Sequence, residues 1–114
     1  MKSEKLTDKI ILETLVKRKK TLKKYGVKRI GLFGSFVRGE QKKNSDIDLI
    51  AEFDLTAFGK DFKGLYEAFV ALSNYLEGVF KRKVEILTPE SVETIRIKEV
   101  KDEIKRSVIY AQTG

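Results

Sequence analysis

Gly34-Ser35-Phe36-Val37-Arg38-Gly39, a polar run, and then Asn44-Ser45-Asp46-Ile47-Asp48-Leu49: this stretch decides how the 114-residue chain is read. Just upstream, Val27 to Phe33 reads as a strand that ends at Gly34. Ser35 to Arg38 has room for little more than a helical turn, and Gly39 to Ser45 is a polar loop. From Asp46 to Phe53 the residues alternate. Ile47, Leu49 and Ala51 fall on one face and Asp46, Asp48 and Ile50 on the other, the period of a strand. With only about a dozen residues between them, the two strands are expected to be antiparallel neighbours. The end of one then meets the start of the other, and Gly34-Ser35 comes to lie beside Asp46 and Asp48.

Working outward, Thr7 to Tyr25 has a helical pattern, with Ile11, Leu15, Leu22 and Tyr25 on one stripe and Gly26 as a stop signal. Asp54 to Lys63, with Gly59 inside it, reads as a loop. Leu65, Phe69, Leu72, Leu76 and Val79 then step by four and three, an amphipathic helix with Gly78 near its end. Lys83 to Leu87 is a short strand. Thr88 can cap the next helix, with Pro89 at its first position. Val92, Ile95, Val100 and Ile104 suggest closing helices that end near Tyr110. The long helix before Lys83 makes the usual right-handed crossover, so the second and third strands are expected to be parallel. The expected fold is α/β, a small mixed β-sheet flanked by helices, in a single domain over residues 1–114.

The chemistry follows from that placement. Gly34 leaves room for backbone to approach a ligand, and Ser35 opens a short helix whose free N–H groups suit a phosphate. Arg38, a turn later, adds a fixed charge. Asp46 and Asp48 share a face, with Cα atoms about 6.5–7 Å apart. Carboxylates at that spacing can converge on metals about 3.5–4 Å apart. Glu85, between Val84 and Ile86 on the third strand, is the third acid of the group. An exposed strand acid paired to Lys83 is the other reading of Glu85.

Composition limits the alternatives. There is no Cys and no His, which excludes disulfides, thiolate nucleophiles and imidazole catalysis or ligation. A bound metal must sit on oxygen, which favours Mg2+ or Mn2+. No signal-like or membrane-spanning apolar run occurs, so a cytoplasmic protein with no membrane association is expected. The net charge is +7. Much of the excess lies in Lys17, Arg18, Lys19, Lys20, Lys23, Lys24, Lys28 and Arg29. This cluster fits a solvated helix face or a surface for phosphate, nucleic acid or an acidic partner. It lacks the interleaved aromatics of a base-stacking platform, so an RNA-binding role is not expected.

The two halves of the opening motif together resemble the signature of the minimal nucleotidyltransferases, which belong to the DNA polymerase β superfamily. The resemblance extends to Thr88-Pro89-Glu90 after the third strand. It implies that Gly34 and Ser35 hold the phosphates of ATP and that Asp46 and Asp48 ligate metal. Glu85 stands at the third acidic position, where the family more often has Asp, and Val37 where Ala is commoner. The resemblance also implies an antitoxin that adds AMP to a tyrosine of a HEPN-type ribonuclease toxin. A non-catalytic module that neutralises a partner by binding is the competing expectation.

Overall fold

A computed structural model gives the arrangement of residues 6–54, 56 and 64–111. Two helices, α1 (Asp8–Lys17) and α2 (Lys19–Lys24), precede strand β1 (Val27–Phe33). The short α3 (Ser35–Arg38) leads through a loop to β2 (Ile47–Phe53). Then come α4 (Leu65–Phe80), β3 (Val84–Leu87), α5 (Pro89–Glu93), α6 (Lys98–Ser107) and β4 (Ile109–Tyr110). Among the described residues the sheet has the order β3-β2-β1-β4. β1 pairs antiparallel with β2, and β2 pairs parallel with β3, as the connection lengths require.

The alternation along β1 and β2 sorts the core into two layers. Ile30 and Leu32 of β1, with Ile47, Leu49 and Ala51 of β2, join Ile11, Leu15, Leu22, Leu72 and Leu76 from α1, α2 and α4. The opposite face is thinner: Phe33 and Ile50 meet Val92 of α5 and Ile104 of α6. Asp48 and Glu85 belong to this second face, because strand residues alternate. The thick layer anchors the sheet, and truncating Leu72 or Leu76 to Ala would cost about 2–5 kcal/mol.

Several local expectations change. The N-terminal helix is broken at Arg18, whose N–H is shared between the Thr14 and Leu15 carbonyls. Like charges crowd this segment at helical spacing, which weakens a continuous helix there. Gly78 lies inside α4. As expected it stands near the helix's end: α4 stops at Phe80, and Lys81 caps it in the left-handed conformation at φ 54, donating its N–H to the Glu77 carbonyl. Thr88 and Pro89 begin α5 as expected, with Ser91 completing a reciprocal capping box. The chain does not stay helical to Tyr110. α6 ends at Ser107, and β4 adds an edge to the sheet opposite Gly31 and Leu32 of β1. Gly31 makes that close pairing possible, since a Cβ there would lie 2.9 Å from both Tyr110 and Val108. Val100 is exposed and does not join the core. Of the expected loop from Asp54 to Lys63, residues 55 and 57–63 lie outside the described residues.

Candidate active site at the strand ends

β1 ends against the start of β2, and the register there assembles the site. Phe33 pairs with Asp48 across the antiparallel ladder, and Asp48 pairs with Glu85 across the parallel one. One residue of the central strand thus has a neighbour on each side. Gly34 follows immediately, at φ 84 and ψ −151, a conformation essentially reserved for glycine. A Cβ at Gly34 would collide with the Asp48 carboxylate. Glycine is therefore required twice, for its backbone angles and for the space the acid occupies.

Beyond Gly34, the buried ring of Phe36 seats α3 in the core. The N–H groups of Val37 and Arg38 donate to the Gly34 carbonyl, both at 3.1 Å. The helix's first amides, of Ser35 and Phe36, remain as the donors its N-terminal turn can present. Gly39, left-handed at φ 72, ends the helix. Arg38 holds Glu40 through Nε at 2.7 Å, and this bond raises its pKa further. Its charge also acts on Asp48, favouring the ionised carboxylate.

Asp48 is half-buried, and its pKa is raised to about 6. Loss of solvent is the largest cause, followed by the charge of Glu85 and then that of Asp46. Asp46 sits one residue before β2 and is exposed. Glu85 is also exposed, and no ion pair joins it to Lys83. Asp48 thus feels both of the other acids. Among the described residues, however, no group of three or more acids already converges as a set of metal donors. The donor chemistry still fits a hard cation: all oxygen, with uncompensated negative charge at Asp48 that a cation would neutralise.

A cleft of about 670 Å³ opens over these residues, lined by Gly34, Arg38, Asp48 and Glu85 on the sheet side. Ile95, Glu99, Val100 and Glu103 form its other wall. Glu99 and Glu103 escaped the sequence reading. Their spacing of four puts them on one face of α6 with Val100 between, but a lone amphipathic helix does not say what its polar face looks onto.

Residues 12–111 match the family model described as a nucleotidyltransferase domain. The chain belongs to that family, and within it to the minimal nucleotidyltransferases. A Methanocaldococcus jannaschii protein provisionally named a protein adenylyltransferase is 41% identical over 101 residues, covering 88% of this chain and 93% of that protein. The protein adenylyltransferase MntA of Thermococcus cleftensis is 34% identical over 106 residues, with 92% and 96% covered. A solved structure provisionally described as a minimal nucleotidyltransferase superposes with a TM-score of 0.59 at 25% identity, covering 94% of this chain and 98% of that one. A toxin-antitoxin crystal structure with AMP-PNP has the same fold, at TM-score 0.58 and 18% identity, covering 96% and 75%.

Proposed function

We propose that this chain transfers AMP from ATP to a hydroxyl of a partner protein and acts as an antitoxin by doing so. The observation that carries the reading is the packing of Asp48 against Gly34 with Glu85 in register beside it. Such a joint of strand ends puts a phosphate-binding turn against paired acids. The relatives' names, protein adenylyltransferase, support a protein acceptor. The toxin-antitoxin complex that shares the fold supports a toxin as that acceptor. The finer assignment is a tyrosine of a HEPN-type ribonuclease toxin.

In the reaction, the acceptor oxygen attacks the α-phosphorus of ATP and a new P–O bond forms. The bond from the α-phosphorus to the β-bridging oxygen breaks, and pyrophosphate leaves. Gly34 and Ser35 hold the phosphates through backbone N–H groups, and Arg38 adds a fixed positive charge. Asp46, Asp48 and Glu85 would hold Mg2+ or Mn2+. When bound there, such a cation would supply Lewis-acid chemistry, lowering the acceptor's pKa and neutralising charge on the leaving oxygens. With no His in the chain, Glu85 or Asp48 takes the acceptor's proton. Tyrosine, with an ordinary pKa of about 10, becomes a usable nucleophile under those conditions.

The test combines the chain, a toxin protein offered as acceptor, Mg2+ and ATP labelled at the α-phosphorus. Label is expected on the toxin, and it should vanish when the acceptor tyrosine becomes Phe. Label on RNA would overturn the acceptor class. Equal neutralisation by the Asp46→Asn/Asp48→Asn protein, with no label, would make the chain a binding module instead.

A further inference from the structure

Asp46 stands outside β2, on the last residue of a loop, yet the proposed chemistry needs its carboxylate in a fixed orientation. Two interactions grip the backbone on either side of it. Before it, the Arg82 guanidinium donates through Nη1 to the Ser45 carbonyl at 3.2 Å. After it, the Ile47 N–H donates to the Lys83 carbonyl at 2.9 Å. Both partners are consecutive residues in the connection between α4 and β3.

Arg82 makes a second contact. Its guanidinium lies 5.5 Å from the centroid of the Phe36 ring, the buried side chain that seats α3. One side chain therefore touches both the loop that presents Asp46 and the helix behind Gly34-Ser35. The loop itself is closed locally. The Lys42 N–H donates to Ser45 Oγ at 2.7 Å, and the Ser45 N–H donates to the Lys42 carbonyl at 3.0 Å. The Ser45 carbonyl is where this closed turn is tied to the rest of the molecule.

Arg82 is itself well placed to serve as an anchor. The left-handed Lys81 turns the chain out of α4 just before it, and the Val84 N–H donates to Glu77 Oε2 at 3.1 Å just after it. A planar guanidinium can lie over a ring and donate from its edge at once. An ammonium group offers no such plane.

We infer that Arg82 is a positioning residue for Asp46: it ties the Ser45 carbonyl to α3 and so holds the Asp46 carboxylate where a divalent cation needs it. This rests on the metal-dependent transfer proposed above. Outer-shell partners of metal ligands typically control affinity by about 10–100-fold.

The experiment measures Mn2+ binding in the presence of AMP-PNP by calorimetry, on the wild-type chain and on Arg82→Ala, Arg82→Gln and Arg82→Lys. Amide hydrogen exchange at residues 45–47 is followed on the same samples. Arg82→Ala and Arg82→Gln should weaken Mn2+ about 10-fold or more and speed exchange at Asp46 and Ile47. The metal concentration for half-maximal transfer should rise, while the KM for ATP moves little. Arg82→Lys should recover little, and full recovery by Lys would overturn the positioning role in favour of charge alone. A double-mutant cycle separates positioning from general stability: in an Asp46→Asn background, loss of Arg82 should weaken Mn2+ no further. An undiminished effect in that background would overturn the inference, as would wild-type Mn2+ affinity in Arg82→Gln. A wild-type chain that binds no Mn2+ with AMP-PNP would instead bring down the metal reading itself.

Discussion

Two charged regions of this molecule are built in opposite ways. In the basic stretch from Lys17 to Arg29, every cation is exposed. Arg18 donates to the Tyr75 hydroxyl at 2.9 Å, and Lys28 and Arg29 both reach Glu52, at 3.7 and 3.3 Å. Such contacts are screened and contribute little. The acidic cleft holds fewer charges, but the one at its centre, Asp48, is constrained. Asp48 is pinned between Phe33 and Glu85 by register, pressed against Gly34 and partly stripped of water. Charge that solvent can reach is cheap to keep and says little. Charge that folding forces together raises a pKa, and that cost marks a place where a ligand is expected.

The comparison predicts a sharp asymmetry between the two regions. Asp46→Asn with Asp48→Asn should abolish AMP transfer in the labelling assay. The melting temperature should hold or rise slightly, because mutual repulsion is removed. Unchanged transfer would break the comparison at its centre. Glu85→Gln comes next and should lower transfer by orders of magnitude, since charge is lost while shape is kept. An effect within a few-fold would remove Glu85 from the site, and Glu85→Asp tests whether the shorter acid serves as well.

Gly34→Ala should destabilise the protein by about 1–3 kcal/mol in urea unfolding, from backbone strain alone. It should also impair transfer by displacing the Asp48 carboxylate. Wild-type values on both counts would mean that the close packing is not needed.

A smaller effect is expected from pH. Transfer requires ionised Asp48, so at sub-saturating Mg2+, where protons compete with the cation, its rate should fall as pH drops through about 6. Stability should move the other way. A carboxyl whose folded-state pKa is raised contributes stability below its ordinary range and loses that contribution as pH rises through about 6. Relative to Asp48→Asn, the wild-type protein should therefore gain stability on acidification from pH 7 toward 4. Asp48 is only half-buried, so solvent screening limits the gain to about 1 kcal/mol. The smallest change belongs to the basic stretch. Replacing Lys19, Lys20, Lys23 and Lys24 with Gln should alter unfolding free energy by about 0.5 kcal/mol at most and leave transfer unchanged. A clear loss of transfer would give that surface a role in docking the acceptor.

The parts of this fold that were legible in the sequence were those with a period or a cap. β2 announced itself by alternation, β1 by a run that stops at Gly34, α4 by its four-and-three steps, and α5 by Thr88-Pro89. The short β4 had no such signal, because two residues show no alternation and its partner is far away in sequence. Gly78 correctly marked the neighbourhood of the end of α4, but the left-handed cap at Lys81 is not written in residue type. Val100 read as part of a closing helix, while its acidic neighbours Glu99 and Glu103 carried no signal of their own. Which side of α6 meets the core and which borders the cleft depends on the angle at which it returns over the sheet. The strand acids were legible because register needs only connection length and alternation. The grip of Arg82 on Ser45 was not, because it joins residues 37 positions apart through a side chain and a carbonyl.

β1 and β2 also give the molecule two poles. The site lies where β1 ends and β2 begins, and at the opposite pole the Asp54 N–H bonds the Gly26 carbonyl at 2.8 Å. Seven residues of strand separate the poles, about 23 Å of sheet. The chain has no cysteine, so a single thiol introduced at exposed Lys24, beside the far pole, would be unique. The fold thus provides a natural attachment end for a dye, a tether or a surface, with a whole sheet length between the handle and the chemistry.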